Sequence, residues 1–157
     1  MSGDNLLLVV DVQEKPMRFL SGKTKLMKRI NRIIKLFEEK NEPVFYIKQE
    51  NCGALCSQLE VKQTSPVFTK KDQDAFTQPS LAEKVQQLHP QNLVIIGLMS
   101  HACIQATVKD ALDRNYSVIL IGDAHDSLIK PMRHHYNQVL TKLGAHRLST
   151  EEFLQVE

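Results

Sequence analysis

Continuous runs of apolar residues, each followed by a polar turn, constrain the fold of this chain more than any other feature. Such runs lie at residues 6–10, 93–96 and 118–121. A strand of a parallel sheet is buried on both faces, and it needs a run of this kind. Amphipathic stretches separate the runs, so strands and helices should alternate. We therefore expect an α/β fold, with a doubly wound, mainly parallel β-sheet and helices on both faces in three α/β/α layers.

The rest of the pattern predicts the other elements. An apolar stripe between Leu26 and Phe37 predicts a long helix that ends near Pro43. Further strands are expected at 43–47, 67–69, 116–121 and 145–148, and further helices at about 80–88, 101–114 and 131–143. Residues 49–66 are polar and predict a loop. Residues 149–152 have the spacing of a capping box and predict a short final helix.

The composition indicates a single domain over residues 1–157. Apolar residues make up 42% of the chain and charged residues 24%, which is ordinary for a globular protein. The net charge of +2 is too small to indicate nucleic acid or a membrane surface as a partner. No apolar stretch approaches the roughly 20 residues of a membrane span, and no signal peptide is evident. We therefore expect a cytoplasmic protein.

The cysteine and histidine spacings do not predict a metal site. Cys52 and Cys56 are close in sequence, but no second pair of Cys or His completes a zinc pattern. Both are expected to be free thiols in a loop. His134 and His135 are adjacent, and adjacent side chains on a helix point about 100° apart, which disfavours a shared ion.

Cys103 occupies a position where a thiol can be reactive. The run at 93–96 is followed by Gly97 and by small and polar residues, a pattern that predicts a strand, a tight turn and a helix. Cys103 would then lie in the first turn of the helix, where free N–H groups and the helix dipole favour a thiolate. The alternative is that Cys103 is a small apolar filler of a buried turn.

Polar residues follow several of the predicted strands. Asp11 follows the first strand, Lys70 and Lys71 the third, Cys103 the fourth and Asp123 the fifth. In open parallel sheets, ligands bind outside the carboxyl ends of the strands. An acid, a base and a thiol could therefore meet at one edge of the sheet. Asp11 could instead cap a turn, and either lysine could simply be solvated.

Four segments, in this order along the chain, resemble the isochorismatase-like cysteine hydrolases. They are Asp11-Val12-Gln13, Lys70 ahead of Ala75-Phe76, the stretch from Gly97 through Ser100 and Cys103 to Ala111, and the turn Gly122-Asp123-Ala124. The stretch around Cys103 is the most specific of the four. The resemblance implies the doubly wound α/β fold and a cis peptide bond between Leu98 and Met99.

The resemblance also implies a chemistry. The implied catalytic triad is Asp11, Lys70 and Cys103, and Lys70 is preferred to Lys71 because it keeps the family's spacing to Ala75-Phe76. Cys103 would attack an amide carbon of a small molecule and form a thioester, and no cofactor is expected. The implied substrate-binding residues are Met99, Ser100, Phe76, Gln13 and His125. Phe76 fits a core position equally well. Members of the family assemble, so a homo-oligomer, either a dimer or a tetramer, is expected.

Several residues differ from the family pattern, and these differences restrict the reactions that the resemblance implies. Nicotinamidases of the family carry Asp-x-His and a further His for a metal after the second strand, whereas residues 48–52 here read Lys-Gln-Glu-Asn-Cys. A metal-assisted nicotinamidase is therefore not expected, and Gln49-Glu50-Asn51 is similar to the His-Glu-Asn stretch of the metal-free branch. Asp74 replaces the usual Ser, and Ser100 replaces the usual Thr. Two alternatives remain: a catalytically silent binding or assembly protein, and a thiol-based sensor in which Cys52 or Cys56 resolves an oxidised Cys103.

Overall fold

A computed structural model describes residues 5–157, which contain a six-stranded β-sheet flanked by helices. The strands are β1 (Asn5–Val10), β2 (Val44–Gln49), β3 (Val67–Lys70), β4 (Asn92–Leu98), β5 (Val118–Asp126) and β6 (His146–Leu148). They lie in the order β3-β2-β1-β4-β5-β6, and every neighbouring pair is parallel. The doubly wound α/β prediction is confirmed, with a sheet that is parallel throughout residues 5–157.

Helices cover both faces of this sheet. They are α1 (Glu14–Met17), α2 (Lys23–Glu39), α3 (Pro79–Leu88), α4 (Gln105–Asp113), α5 (Pro131–Lys142) and α6 (Thr150–Val156). Leu7 and Val9 of β1 pack with apolar side chains of α2 and α6, whereas Leu6 and Leu8 pack with those of α3, α4 and α5. Every residue of β1 is buried, as a strand with layers on both sides requires. None of the helices within 5–157 is long and apolar enough to cross a membrane.

The strand order reverses between β1 and β4, and this switch point creates the opening for a site. From β1 the chain continues outward to β2 and β3, then returns to place β4 on the other side of β1. The connections after β1 and β4 therefore leave in opposite directions and open a crevice at the carboxyl edge. The loop at 50–66 and the turn after β3 border the same edge.

Two segments differ from the sequence prediction. The strand predicted at 116–121 continues to Asp126, after a register shift relative to β4 between Ile95 and Gly97. The helix predicted from residue 101 begins as a π-helical turn, Ser100–Ile104, and only then continues as α4. The capping box at Ser149 is confirmed.

Asp123 is not at the edge where the sequence placed it, because β5 is longer than predicted. Its Oδ1 accepts hydrogen bonds from the backbone N and the Oγ1 of Thr150, at 2.8 and 2.7 Å. The carboxylate therefore holds the start of α6 against the sheet. This role is structural, and it removes Asp123 from the group of polar residues near Asp11.

Candidate active site

Three buried side chains meet at the carboxyl edge of the sheet. Asp11 follows β1, Lys70 ends β3 and Cys103 lies in the π-helical turn after β4. Lys70 Nζ lies 3.1 Å from Asp11 Oδ2 and 3.2 Å from Cys103 Sγ. Their exposed fractions are 1% for Lys70, 3% for Asp11 and 8% for Cys103, so water is largely excluded from the cluster. Lys71, the other candidate lysine, is exposed.

The Lys70 ammonium has a further partner, Gln49, which the sequence analysis did not select. Gln49 ends β2 and pairs in register with Lys70 on β3. Its Oε1 accepts a hydrogen bond from Lys70 Nζ at 2.6 Å. One feature could have indicated this contact: Gln49 and Lys70 end neighbouring strands at the same edge of the sheet. The sequence analysis missed it because strand β2 was predicted to end at residue 47, two residues early.

The backbone conformation at the ends of β1 and β4 positions the residues that carry the carboxylate and the thiol. Gly97 has φ +125°, and a Cβ at this position would lie 2.0 Å from the carbonyl oxygen of Val10, so only glycine fits. Asp11 itself adopts a left-handed φ of 54°, which non-glycine residues rarely do. The Leu98–Met99 peptide is cis.

The electrostatics of the cluster favour a protonated thiol at rest. Burial and the neighbouring Asp11 carboxylate raise the pKa of the Cys103 thiol to about 12, while Lys70 acts to lower it. Burial also raises the pKa of Asp11 above its usual value, against the lowering influence of Lys70. Desolvation and the adjacent anion therefore oppose the thiolate that the sequence pattern favours, and Lys70 supports it.

A cavity of about 500 Å³ opens beside this cluster, a size that suits a small molecule. Asp11 and Cys103 form part of its wall. Met99, one of the predicted substrate-binding residues, also lines the cavity, together with Lys15 and Pro16. Polar reacting groups thus face a small space with partly apolar walls.

Ser100 and His125 lie behind this wall instead of on it. Both are fully buried, and Ser100 Oγ lies 2.6 Å from His125 Nδ1. His125 Nε2 lies 2.7 Å from Oδ1 of Asn137, whose Nδ2 donates to the Gly122 carbonyl. Because Asn137 Oδ1 is an acceptor, Nε2 must carry the proton, and Ser100 must donate to Nδ1. Burial lowers the pKa of His125 to about 4, so this chain of groups is neutral at pH 7.

Gln13 and Phe76 also differ from their predicted role. Gln13 is fully buried and bonds to both sides of the Gln49 backbone: its Oε1 accepts from Gln49 N, and its Nε2 donates to Gln49 O. Phe76 stacks on Tyr116 in the core cluster beneath α3 and α4. Neither residue lines the cavity, so one supports the site and the other fills the core.

The remaining sequence candidates are dispersed. Cys52 and Cys56 are free and half-buried, and Cys52 alone of the two lines the cavity. His101 is exposed, with Nδ1 2.8 Å from Ser127 Oγ.

The resemblance implies a metal ion in nicotinamidases, and the side chains that could bind one here are His, Cys, Asp and Glu. Within residues 5–157, no group of three or more His, Cys, Asp or Glu side chains is placed to hold a metal ion. The residues at the site therefore do not fit a metal ion.

Solved structures share this fold at low sequence identity. A ribonuclease, MAR1, from Caenorhabditis elegans has a TM-score of 0.88 at 22% identity, over 96% of this chain and 79% of that one. The octameric YcaC hydrolase of unknown specificity from Escherichia coli has a TM-score of 0.89 at 17% identity, over 96% and 77%. A pyrazinamidase from Pyrococcus horikoshii, in complex with zinc, has a TM-score of 0.83 at 17% identity, over 93% and 99%.

Sequence comparison gives the family. An uncharacterized isochorismatase family protein, YddQ from Bacillus subtilis, is 25% identical over 95% of this chain and 98% of its own length. The family model for the isochorismatase domain matches residues 5–152, which is nearly all of the chain. The chain therefore belongs to the isochorismatase family of hydrolases.

Proposed function

We propose that this protein is a cysteine hydrolase that cleaves the C–N bond of a small-molecule amide, with Asp11, Lys70 and Cys103 as its catalytic triad. One observation carries the proposal: a buried ammonium contacts both a thiol and a carboxylate at the wall of a cavity of about 500 Å³. A structural relative described as a pyrazinamidase supports an amide as the substrate.

The proposed reaction begins with proton transfer from Cys103 Sγ to Asp11. A thiol is a weak nucleophile until it loses its proton, and a carboxylate of raised pKa is a stronger base than an ordinary one. Lys70 stays charged and stabilises the thiolate as it forms. The sulfur then bonds to the amide carbon, and the carbonyl becomes an oxyanion.

The second half of the reaction returns the site to its starting state. The oxyanion collapses, the C–N bond breaks, and Asp11 gives its proton to the leaving amine. A water molecule then attacks the thioester while Asp11 takes one of its protons. When the C–S bond breaks, that proton returns to Cys103 and the carboxylic acid product leaves. Each proton that Asp11 accepts is passed on, so the cycle balances.

Backbone N–H groups of the π-helical turn are the proposed oxyanion donors. The Met99 carbonyl accepts from the N–H groups of Ala102 and Ile104. Between them, the N–H of Cys103 has no hydrogen-bond partner outside this turn among residues 5–157. We assign this N–H, and one near Met99, to the oxyanion. A donor of this kind contributes roughly 3–4 kcal/mol in comparable sites.

The test is ammonia release from a panel of small primary amides. Wild type should hydrolyse one class of amide, and Cys103→Ala should abolish that activity. Cys56→Ala is the matched control, because Cys56 is also a free thiol but lies away from the cavity. Mass spectrometry should detect an acyl group on Cys103 during turnover. Full activity in Cys103→Ala would exclude the mechanism. Absence of both turnover and an acyl adduct would favour a silent family member.

We also propose that the chain forms a homo-oligomer, as the family resemblance implies. The fold relative from Escherichia coli is described as octameric, which supports assembly in general but not a particular number of subunits. Light scattering coupled to gel filtration should give a mass that is a multiple of 17.9 kDa. A monomeric mass at micromolar concentration would contradict the proposal.

A further inference from the structure

We propose that Gln49 is a positioning residue for the triad, whose amide oxygen holds the Lys70 ammonium so that one N–H stays directed at Cys103 Sγ. The catalytic meaning of this inference rests on the proposed function. Its geometric content does not, because it concerns contacts among side chains that can be probed without a substrate.

The Lys70 ammonium has as many acceptors as donors. A lysine ammonium carries three N–H groups and no acceptor. Lys70 Nζ lies 2.6 Å from Gln49 Oε1, 3.1 Å from Asp11 Oδ2 and 3.2 Å from Cys103 Sγ. Gln49 provides the shortest of these contacts. With one acceptor for each donor, all three N–H groups are satisfied, and Nζ is held between the amide oxygen, the carboxylate and the sulfur.

The amide group of Gln49 is itself fixed in orientation. Its Nε2 donates to the Lys71 carbonyl at 2.6 Å, so its Oε1 must face the Lys70 ammonium. The Gln49 backbone is held by Gln13, which accepts from Gln49 N at 2.8 Å and donates to Gln49 O at 3.1 Å. Gln13 also donates to the Gly53 carbonyl at 2.9 Å, which ties the following loop to the same point.

The acceptor that Gln49 offers to Lys70 is a neutral amide oxygen, so it adds no negative charge to the site. A buried ammonium needs all of its donors satisfied, and an amide oxygen does this without a second negative charge. A carboxylate in place of Gln49 would share Lys70 with Asp11 and would raise the pKa of Cys103 further. With Gln49, the Asp11 carboxylate is the one anion in contact with Lys70 within residues 5–157, and no second carboxylate raises the pKa of the thiol further.

The first experiment compares Gln49→Glu with Gln73→Glu. Gln73 lines the same cavity but makes no hydrogen bond with Lys70 in the described structure, so it controls for added charge alone. Iodoacetamide labelling of the Cys103 peptide is followed by mass spectrometry from pH 7 to 11. We expect Gln49→Glu to slow labelling at pH 9 by about threefold or more, a shift of about half a pKa unit, and Gln73→Glu by much less.

The second experiment removes the acceptor and adds no charge. Gln49→Met should lower kcat by about tenfold, because Lys70 loses the contact that holds it, and KM should change by less than kcat. The control is Gln87→Met, at an exposed position of α3 that does not line the cavity, and it should leave kcat within about twofold. Circular dichroism melts of all four variants identify any that do not fold.

The two experiments distinguish a failure of the role proposed for Gln49 from a failure of the proposed amide hydrolysis. Labelling profiles of folded Gln49→Glu that match those of Gln73→Glu would overturn the role of Gln49, as would an unchanged kcat in Gln49→Met. Should wild type hydrolyse no amide at all, the proposed function fails. The labelling comparison would still decide whether Gln49 controls the Lys70–Cys103 contact.

Discussion

Two buried polar clusters lie on either side of the π-helical turn Ser100–Ile104, and they differ in charge. Around Cys103, a cation, an anion and a thiol are in contact. Around Ser100, the chain through His125 to Asn137 consists of neutral groups linked by hydrogen bonds of 2.6 and 2.7 Å. Burial acts on both clusters by disfavouring charge. It raises the pKa of Asp11 and Cys103 and lowers that of His125.

The difference between the clusters is the presence of Lys70. A buried ammonium can stabilise a negative charge on either of two neighbouring groups, which favours transfer of a proton between them. The His125 chain has no such cation in contact and keeps each proton in one place. We infer that the first cluster is suited to proton transfer and the second to rigid support of the turn.

The largest expected effect comes from Asp11→Asn. Without the carboxylate, the site loses the base that takes the thiol proton, and kcat should fall by about 10³-fold. The same change removes the negative charge that raises the pKa of Cys103 while Lys70 remains. Iodoacetamide labelling of Cys103 at pH 8 should therefore become faster than in wild type. Slower labelling would show that the carboxylate does not control the thiol.

The next largest effect is expected from Lys70→Gln, with Lys71→Gln as its matched control. Loss of the ammonium removes the group that lowers the pKa of both Asp11 and Cys103. Labelling of Cys103 should slow, and kcat should fall by about 100-fold. Lys71 is exposed, so its substitution should change kcat by no more than about twofold. Similar losses in the two variants would contradict the assignment of Lys70.

The neutral cluster around His125 should affect how the free energy of unfolding depends on pH. The folded pKa of His125 is about 4, below the ordinary 6.5. A depressed pKa stabilises the fold above pH 6.5, and this stability is lost as the pH falls towards 4. Between pH 7 and pH 5 the free energy of unfolding should fall by about 2 kcal/mol from this group. Urea unfolding of wild type and His125→Gln measures it, and equal pH slopes in the two proteins would refute the prediction.

The smallest effect is expected from Ser100→Ala. The substitution removes the donor to His125 Nδ1 and should cost about 1 kcal/mol in the free energy of unfolding. Because Ser100 does not line the cavity, KM and the labelling of Cys103 should match wild type. A raised KM would place Ser100 against the substrate and would weaken the contrast between the two clusters.

The sheet could be predicted from sequence because its signal is local. Residues 6–10 are continuously apolar, and β1 is buried on both faces. A strand that is covered on both faces needs apolar side chains on both, so the apolar run predicts the strand directly. The end of β5 was missed for the opposite reason. Its last residues, from Gly122 to Asp126, are polar or small, and they join the sheet through pairing with Gly97 and Leu98 on β4. No local pattern encodes that pairing.

The site was predictable only in part. The motif around Cys103, with Asp11 and Lys70 at strand ends, pointed to three residues, and the structure places the Lys70 ammonium within 3.2 Å of both Asp11 and Cys103. The roles of the flanking residues were not predictable, because Gln13 and Gln49 act through backbone and side-chain contacts made across 36 residues of sequence.

The sequence by itself predicted the layered parallel architecture, and its resemblance to a known family singled out Asp11, Lys70 and Cys103. Apolar patterning and residue type are properties of short segments, so they can be read before folding. Tertiary structure alone decided that burial raises the pKa of the Cys103 thiol, that Gln49 contacts Lys70, and that Ser100 and His125 lie behind the cavity wall. These outcomes depend on burial and on distances between residues far apart in the chain, and both exist only in the folded state.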